Sequence, residues 1–314
     1  MRQSQPELTD HPMTFAILGP GGVGGLLAGL LSRAGHRVIC LARETTAETL
    51  RTGGIRVRSG VFGDFTAPVL ADTVLRERVD ACVVAVKATA LPSALERVPA
   101  EALGEGLLVP LLNGVEHPVL LRRYYAPELV VPGAIRVEST RVEPGVVEHG
   151  SPFVRLDLAS AHTPSERLAA LAEPLNQVGV TTRVRDDEDE VLWNKMAFLA
   201  PMALLSTRYA VLAGGVVGEH RDELRALLAE IAAVCEANGT SVDQTAGAAL
   251  YDAFPAATRS SMQRDAEAGR PLELDAIGGA LLRAAARHGV PVPVAERLVG
   301  ELTRLAPGLG SAPG

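Results

Sequence analysis

Residues 14–25 read Thr-Phe-Ala-Ile-Leu-Gly-Pro-Gly-Gly-Val-Gly-Gly (TFAILGPGGVGG), a short apolar run that breaks into glycines and resumes as Val23–Ala34. In that second stretch Leu26, Leu27, Leu30 and Leu31 recur at helical spacing, and Gly35 stands where a helix stops in the left-handed conformation. Arg37–Ala42 (RVICLA) is a further apolar run, rich in β-branched residues, as a buried parallel strand requires. The unit is β-α-β. Within it Gly19-Pro20-Gly21-Gly22-Val23-Gly24 matches G-x-G-x-x-G. Glycines at those places permit a tight turn and let backbone N–H groups approach a pyrophosphate at the helix N-terminus.

Working outward, the runs Ala81–Val86, Leu107–Leu112 and Leu129–Val131 alternate with helix-like stretches, the signature of an open parallel sheet. After Gly133 the texture changes to alternating segments, with Pro144-Gly145 marking a hairpin; these read as an antiparallel extension of the same sheet. The acidic run Asp186–Glu190 ends the strand-like patterns and suits a helix N-terminus. Beyond it the chain reads as helices, including Arg221–Asn238 with Leu224, Leu227, Leu228, Ile231 and Val234 on one face, and Leu272–His288 closed by Gly289. The expected fold class is therefore α/β, a parallel-sheet domain followed by an all-α C-terminal domain. Its divisions are a tail at 1–12, a dinucleotide-binding domain at 13–186, a helical substrate and dimerisation domain at 187–306, and a tail at 307–314.

Composition narrows the function. Among 314 residues, 30 basic and 37 acidic side chains give a formal charge of −7, without the basic excess that binds phosphate backbones, so nucleic acid is not an expected partner. Three cysteines, Cys40, Cys82 and Cys235, are too few and too far apart for a disulfide framework or a zinc site, which fits a reducing cytoplasm. No Lys, Arg, Asp or Glu occurs from His11 to Ser32, but the glycines at its centre break any helix, so neither a membrane span nor a signal peptide is expected.

Several positions can carry chemistry. Arg43 follows the second strand 19 residues after Gly24, where an NAD site usually has an acid and an NADP site an arginine; Glu44 beside it could neutralise it. Lys87 and Asn113-Gly114 leave strand ends, where such sheets bind ligands, though a solvated lysine and an ordinary turn read equally well. Lys195 lies in the apolar stretch Val191–Pro201, where an unpaired ammonium would be costly if buried. Ser260-Ser261 and the pair Glu273 and Asp275 flank a break at Gly269-Arg270-Pro271.

Taken together, FAILGPGGVGG, VVAVKA, LLNGVE, PGVVEHG, LWNKM, SSMQRDAEAGRPLELD and HGVPVP, in that order between residues 14 and 293, resemble the ketopantoate reductase (2-dehydropantoate 2-reductase) family. The resemblance implies an N-terminal Rossmann-type domain, a helical C-terminal domain, and NADPH-dependent reduction of a 2-oxo acid, in the family's case a step of pantothenate biosynthesis. It assigns Gly19, Gly21, Gly22, Val23 and Gly24 to the cofactor pyrophosphate, Arg43 to its 2′-phosphate, and Lys87 and Asn113 to cofactor and substrate. Lys195 matches the general acid, Glu273 an acid supporting it, and Ser261 a contact to the substrate carboxylate. A homodimer is admitted, and no metal is required. One departure matters: family members carry Asn four residues after the lysine and often again four later, whereas this chain has Leu199 and Ala203. Leu199 therefore reads as a wall for a more apolar 2-oxo acid. Two other classes fit a dinucleotide motif, a sensor without catalysis and a β-hydroxy-acid dehydrogenase or imine reductase. A sensor needs neither Lys195 nor Glu273, and the segment from Ser260 to Asp275 favours the ketopantoate reductase group over the other.

Overall fold

Runs of apolar residues without alternation form strands buried on both faces. In the computed structural model, which describes residues 11–242, 251 and 255–305, these are Thr14–Leu18 (β1), Arg37–Leu41 (β2), Ala81–Val84 (β6) and Leu107–Pro110 (β7), and the short, partly exposed Leu70–Asp72 (β5) is added at one edge. Apart from His11 and Pro12, the tails expected at 1–12 and 307–314 lie outside the described residues. The chain divides into two units, Met1–Leu112 with His117–Glu188 and Asn113–Glu116 with Asp189–Gly314. Four residues inside the expected dinucleotide-binding span, Asn113–Glu116, thus cluster with the helical unit.

In the first unit the five strands form an all-parallel sheet in the order β5-β2-β1-β6-β7. The chain leaves β1 to build β2 on one side and later returns to build β6 on the other, so the order reverses beyond the end of β1, where open α/β sheets bind ligands. Helix Gly22–Arg33 (α1) begins at this point and ends at Gly35 (φ +94°), whose N–H bonds Ser32 O while that of His36 bonds Leu31 O, the paired bonds of a Schellman stop. The expected strand Leu129–Val131 is reduced to a single parallel bridge between Leu108 and Val130, because a 3₁₀ turn at Pro127–Leu129 precedes it and Pro132 has no N–H to extend it.

The alternating segments correct the sequence reading. They do not extend the parallel sheet. Ile55–Ser59 (β3), Phe65–Ala67 (β4), Ser139–Glu143 (β9) and Val146–His149 (β10) make a second sheet in the order β4-β3-β10-β9. Gly133–Arg136 (β8), Arg155–Leu158 (β11) and Thr181–Val184 (β12) make a third, ordered β12-β11-β8. The hairpin at Pro144-Gly145 does form, with Gly145 at φ +77°. The reason for the separate sheet lies on α1. A Cβ on Gly22 would sit 2.1 Å from Ser139 O, one on Gly25 2.7 Å from Val147 Cγ2 and one on Gly29 2.8 Å from Val57 Cγ2. This glycine stripe lets the second sheet close on the helix, and α1, the parallel sheet, Val57 and Val147 share one core.

Among the described residues the second unit's regular elements are all helices, Glu188–Tyr209 (whose first residue belongs to the first unit), Ala213–Gly218, Arg221–Ala237, Ser261–Glu267, Ala280–His288 and Pro293–Leu305. Trp193, Met196, Leu204, Leu227, Ile231, Leu281 and Leu298 form its core. The acidic run opens the first of these helices, where Arg122 holds Glu188 through two bonds of 2.6 and 2.7 Å. The expected helix from Leu272 starts with a π turn at Asp275–Gly279 and ends at Gly289 in the left-handed conformation (φ +65°). No described helix is long and apolar enough to cross a membrane. All three cysteines are free and buried.

Where β3 and β10 end, a buried polar chain ties the second sheet together. Ser59 Oγ accepts N–H bonds from Val61 (3.1 Å) and Phe62 (3.0 Å), so its own proton goes to His149 Nδ1 at 2.9 Å. The ring then donates from Nε2 to Ser151 Oγ (3.0 Å), which donates to Phe153 O (2.7 Å). The bond that Nδ1 accepts from Ser59 requires a neutral imidazole. Burial holds His149 below its ordinary 6.5, against smaller opposing effects of Phe153 O and Glu138. The unfolded chain therefore takes up this proton more readily, so the stabilisation is complete above about pH 6.5 and is lost as pH falls through the folded value. We expect the unfolding midpoint to drop between pH 7 and 5 and His149→Gln to flatten that dependence. The slope from His36, also lowered by burial, should remain. A His149→Gln profile parallel to wild type would remove the imidazole as a cause.

Candidate functional site

The first group of residues surrounds the start of α1. Gly19 has φ +85°, and a Cβ there would lie 2.6 Å from Val86 Cγ1; a Cβ on Gly24 would lie 2.3 Å from Gly19 O and 3.0 Å from Ile17 Cγ2. These two glycines make the turn and seat the helix on the sheet. Gly21, the N-cap of α1, is different: the nearest heavy atom to its missing Cβ is 3.9 Å away, so this side of the backbone is open to a ligand. Gly22 is closed by β9, whose Ser139 Oγ donates to Gly22 O at 2.8 Å, and Val23 is half-buried. No acid stands in the first turn of α1, so its free N–H groups and positive dipole end can receive an anion.

Arg43 follows β2 as the N-cap of helix Glu44–Gly53, and its side chain is exposed. Glu44 does not neutralise it, since that carboxylate binds Arg51 at 2.6 Å on the same helix. The backbone leading to Arg43 is fixed by Arg97, whose Nη1 donates to Ala42 O (3.0 Å) and Thr73 O (2.8 Å). Lys87 leaves β6 half-buried, at the N-cap of a 3₁₀ turn over Ala88–Ala90. Neither Arg97 nor Ser139 carried any signal in the sequence, because Arg97 reaches Thr73 and Ala42 across 24 and 55 positions and Ser139 reaches Gly22 across 117, each through a backbone carbonyl.

A second group belongs to the helical unit. Lys195 is half-buried on helix Glu188–Tyr209 between buried Trp193 and Met196. Leu199, half-buried, and Ala203, buried, follow at four-residue steps on the same face. Pro201 cannot complete the helical ladder, and next to it the hydroxyl of buried Tyr251 accepts the N–H of Met202 (3.1 Å) and donates to Phe198 O, inserting into a bond the helix would otherwise make directly. Its ring packs on Phe198 with centroids 4.8 Å apart. Of the two serines, buried Ser260 is structural: its Oγ caps the N–H of Gln263 (3.1 Å) and bonds Ser206 Oγ (2.8 Å). Ser261 begins the helix with its side chain exposed.

Asn113 and Glu273, 160 residues apart, are brought together: Asn113 Nδ2 donates to Glu273 Oε2 at 2.9 Å, and Glu273 is buried. Asp275, by contrast, is exposed and bound to Arg283 Nη1 at 2.7 Å. A buried carboxylate fixed by an amide, a lysine on an apolar helix and an exposed serine are groups that can hold and protonate a small anion.

Comparison with known proteins identifies the family. Residues 15–160 match the family model for ketopantoate reductase PanE/ApbA, and residues 187–306 match that for its C-terminal domain. The chain belongs to the ketopantoate reductase family. It is 28% identical over 296 residues to the uncharacterized oxidoreductase YkpB of Bacillus subtilis (strain 168), covering 92% of this chain and 98% of that one. A crystal structure of 2-dehydropantoate 2-reductase from Geobacter metallireducens GS-15 superimposes with a TM-score of 0.86 at 28% identity, covering 93% of this chain and all (100%) of that one. The ternary structure of D-mandelate dehydrogenase with NADH and anilino(oxo)acetate has the same fold, with a TM-score of 0.86 at 20% identity over 95% of this chain and 99% of that one. Family and relatives make this ketopantoate reductase homologue an oxidoreductase.

Proposed function

We propose that this protein reduces a 2-oxo acid to a 2-hydroxy acid with NADPH, and that its substrate is more apolar than ketopantoate. The observation that carries the reading is Lys195, an ammonium half-buried on an apolar helix in a member of the ketopantoate reductase family.

The residues of the first unit fit the cofactor. Gly21 leaves an open backbone face at a helix N-terminus free of acids, and Arg43 is exposed while Glu44 is engaged by Arg51. Gly19, Gly21, Gly22, Val23 and Gly24 would hold the pyrophosphate, Arg43 the 2′-phosphate, and Lys87 a neighbouring part of the dinucleotide. When bound, NADPH supplies the hydride. Charge then develops on the oxygen of the substrate's 2-oxo group. Lys195 stabilises it by a charged hydrogen bond and delivers the proton that completes the hydroxyl. Glu273, anchored by the Asn113 amide, keeps that ammonium charged and aimed, and Ser261 receives the substrate carboxylate. Leu199 and Ala203 present no hydrogen-bonding group where family members carry asparagines, so that wall suits an apolar side chain.

Three outcomes test the reading. NADPH should bind more tightly than NADH, and Arg43→Ala should lose the preference by about ten- to a hundredfold, or roughly 1.5 to 3 kcal/mol; equal affinities in the wild type would refute it. Lys195→Ala should lower kcat by about 10² to 10⁴ while binding NADPH as before, and a folded variant that keeps most of its kcat would take the lysine out of the reaction. Against a panel of 2-oxo acids, branched apolar substrates should match or exceed ketopantoate in kcat/KM. Leu199→Asn should shift the ratio toward ketopantoate by about 1 to 3 kcal/mol, the worth of satisfying a partly buried hydroxyl. A wild-type preference of tenfold or more for ketopantoate would overturn the apolar assignment.

A further inference from the structure

Asn113 stands on a four-residue segment that needs something to hold it. Asn113–Glu116 belongs to the helical unit, and its shortest polar contacts there run to residues 273–283, with Arg287 Nη1 more distant at 3.9 Å from Glu116 Oε1. At one end is the Asn113–Glu273 bond of 2.9 Å. At the other, Arg283 grips Glu116 with Nε (3.0 and 3.2 Å to the two oxygens) and Nη2 (2.7 Å). Between them Gly114, at φ +91°, lies so close to the π turn that a Cβ would be 2.4 Å from Ala276 O.

The same guanidinium turns its remaining donors to the π turn itself. Nη1 bonds Asp275 Oδ1 at 2.7 Å, and Nη2 reaches Asp275 O at 3.2 Å. A π turn is a wide coil whose backbone bonds are out of step with the helix that follows. Arg283, one planar fork, thus fastens the Asn113–Glu116 segment and the π turn, which begins two residues after Glu273, to one rigid group.

We propose that Arg283 is a positioning residue for the reductase reaction: through Glu116 and Asp275 it holds the Asn113 amide on the Glu273 carboxylate. The proposal rests on the catalytic assignment made above. The three charged side chains are substantially exposed, at 45% for Arg283, 39% for Glu116 and 72% for Asp275, so the bridge contributes little to stability. Its value is geometric. Small misplacements of a group that acts on a reacting centre reduce rate steeply, which separates a positioning role from a structural one.

The test compares Arg283→Met, Arg283→Lys, Glu116→Gln, Asn113→Ala and the double variant Asn113→Ala/Arg283→Met. NADPH oxidation is followed with the best 2-oxo acid of the panel. Arg283→Met should lower kcat/KM about tenfold while the Kd for NADPH stays within about twofold and the thermal midpoint within a few degrees. Arg283→Lys should fail to restore the rate, since an ammonium cannot span both carboxylates as a fork. Asn113→Ala should be at least as slow as Arg283→Met, and the double variant no slower than Asn113→Ala alone, because Arg283 acts through Asn113. Wild-type kcat/KM in Arg283→Met, or losses that multiply in the double variant, would overturn the proposal while leaving the function intact. Should Arg283→Met fail to fold, Glu116→Gln decides: a several-fold loss supports the bridge and full activity overturns it. An Asn113→Ala enzyme of full activity would overturn this proposal together with the role given to Asn113 in the reaction.

Discussion

The corner between β1 and α1 has no room for a side chain on either side. Inside, the Cβ position of Gly24 lies 2.3 Å from Gly19 O; outside, that of Gly22 lies 2.1 Å from Ser139 O. Backbone fills what side chains fill elsewhere. Because the helix can start one turn away from the strand, its N–H groups emerge at the point where the sheet changes direction, and because its outer face is glycine, a second sheet can lie against it. A helix buried on two sides cannot swing. Any anion at its N-terminus meets donors that are already in place, and binding need not order them first.

Much of this first unit was legible because its determinants are local. Four or five consecutive apolar residues signal a strand buried on both faces, Gly35 marks a stop, and Pro144-Gly145 marks a hairpin, each within a window of a few residues. The second sheet was misread for the opposite reason. Alternation in residues 133–159 says that one face is covered, but the covering partner, α1, lies more than 100 residues earlier. Only the stripe Gly22, Gly25, Gly29 hinted at it, and of these Gly22 alone falls within the dinucleotide motif.

The site shows the same division. Lys195 was visible as a charge among apolar residues, and the glycine loop as a motif in its proper context, so both could be named from the chain alone. The bond between Asn113 and Glu273 and the grip of Arg283 on Glu116 join residues 160 and 167 positions apart. Nothing periodic records such pairs. Pro201 announced an irregularity, but that a tyrosine hydroxyl would bridge the interrupted helix depends on Tyr251, fifty residues on. The π turn is similarly silent: Asp275–Gly279 has the composition of an ordinary helix start, and only the approach of Gly114 to Ala276 O shows what the wider coil accommodates.

The three buried cysteines give the molecule an internal chemical clock. Burial pushes the thiols of Cys40 and Cys82 up to about 12 and that of Cys235 up to about 11, so at neutral pH almost none of the reactive thiolate exists in the folded state. Cys40 and Cys82 sit on strands flanking β1, and Cys235 lies in the core of the helical unit. An alkylating reagent therefore meets a thiolate only when the surrounding core opens. The order in which the three sulfurs are modified reads out which unit opens first, without a label or a mutation anywhere in the chain.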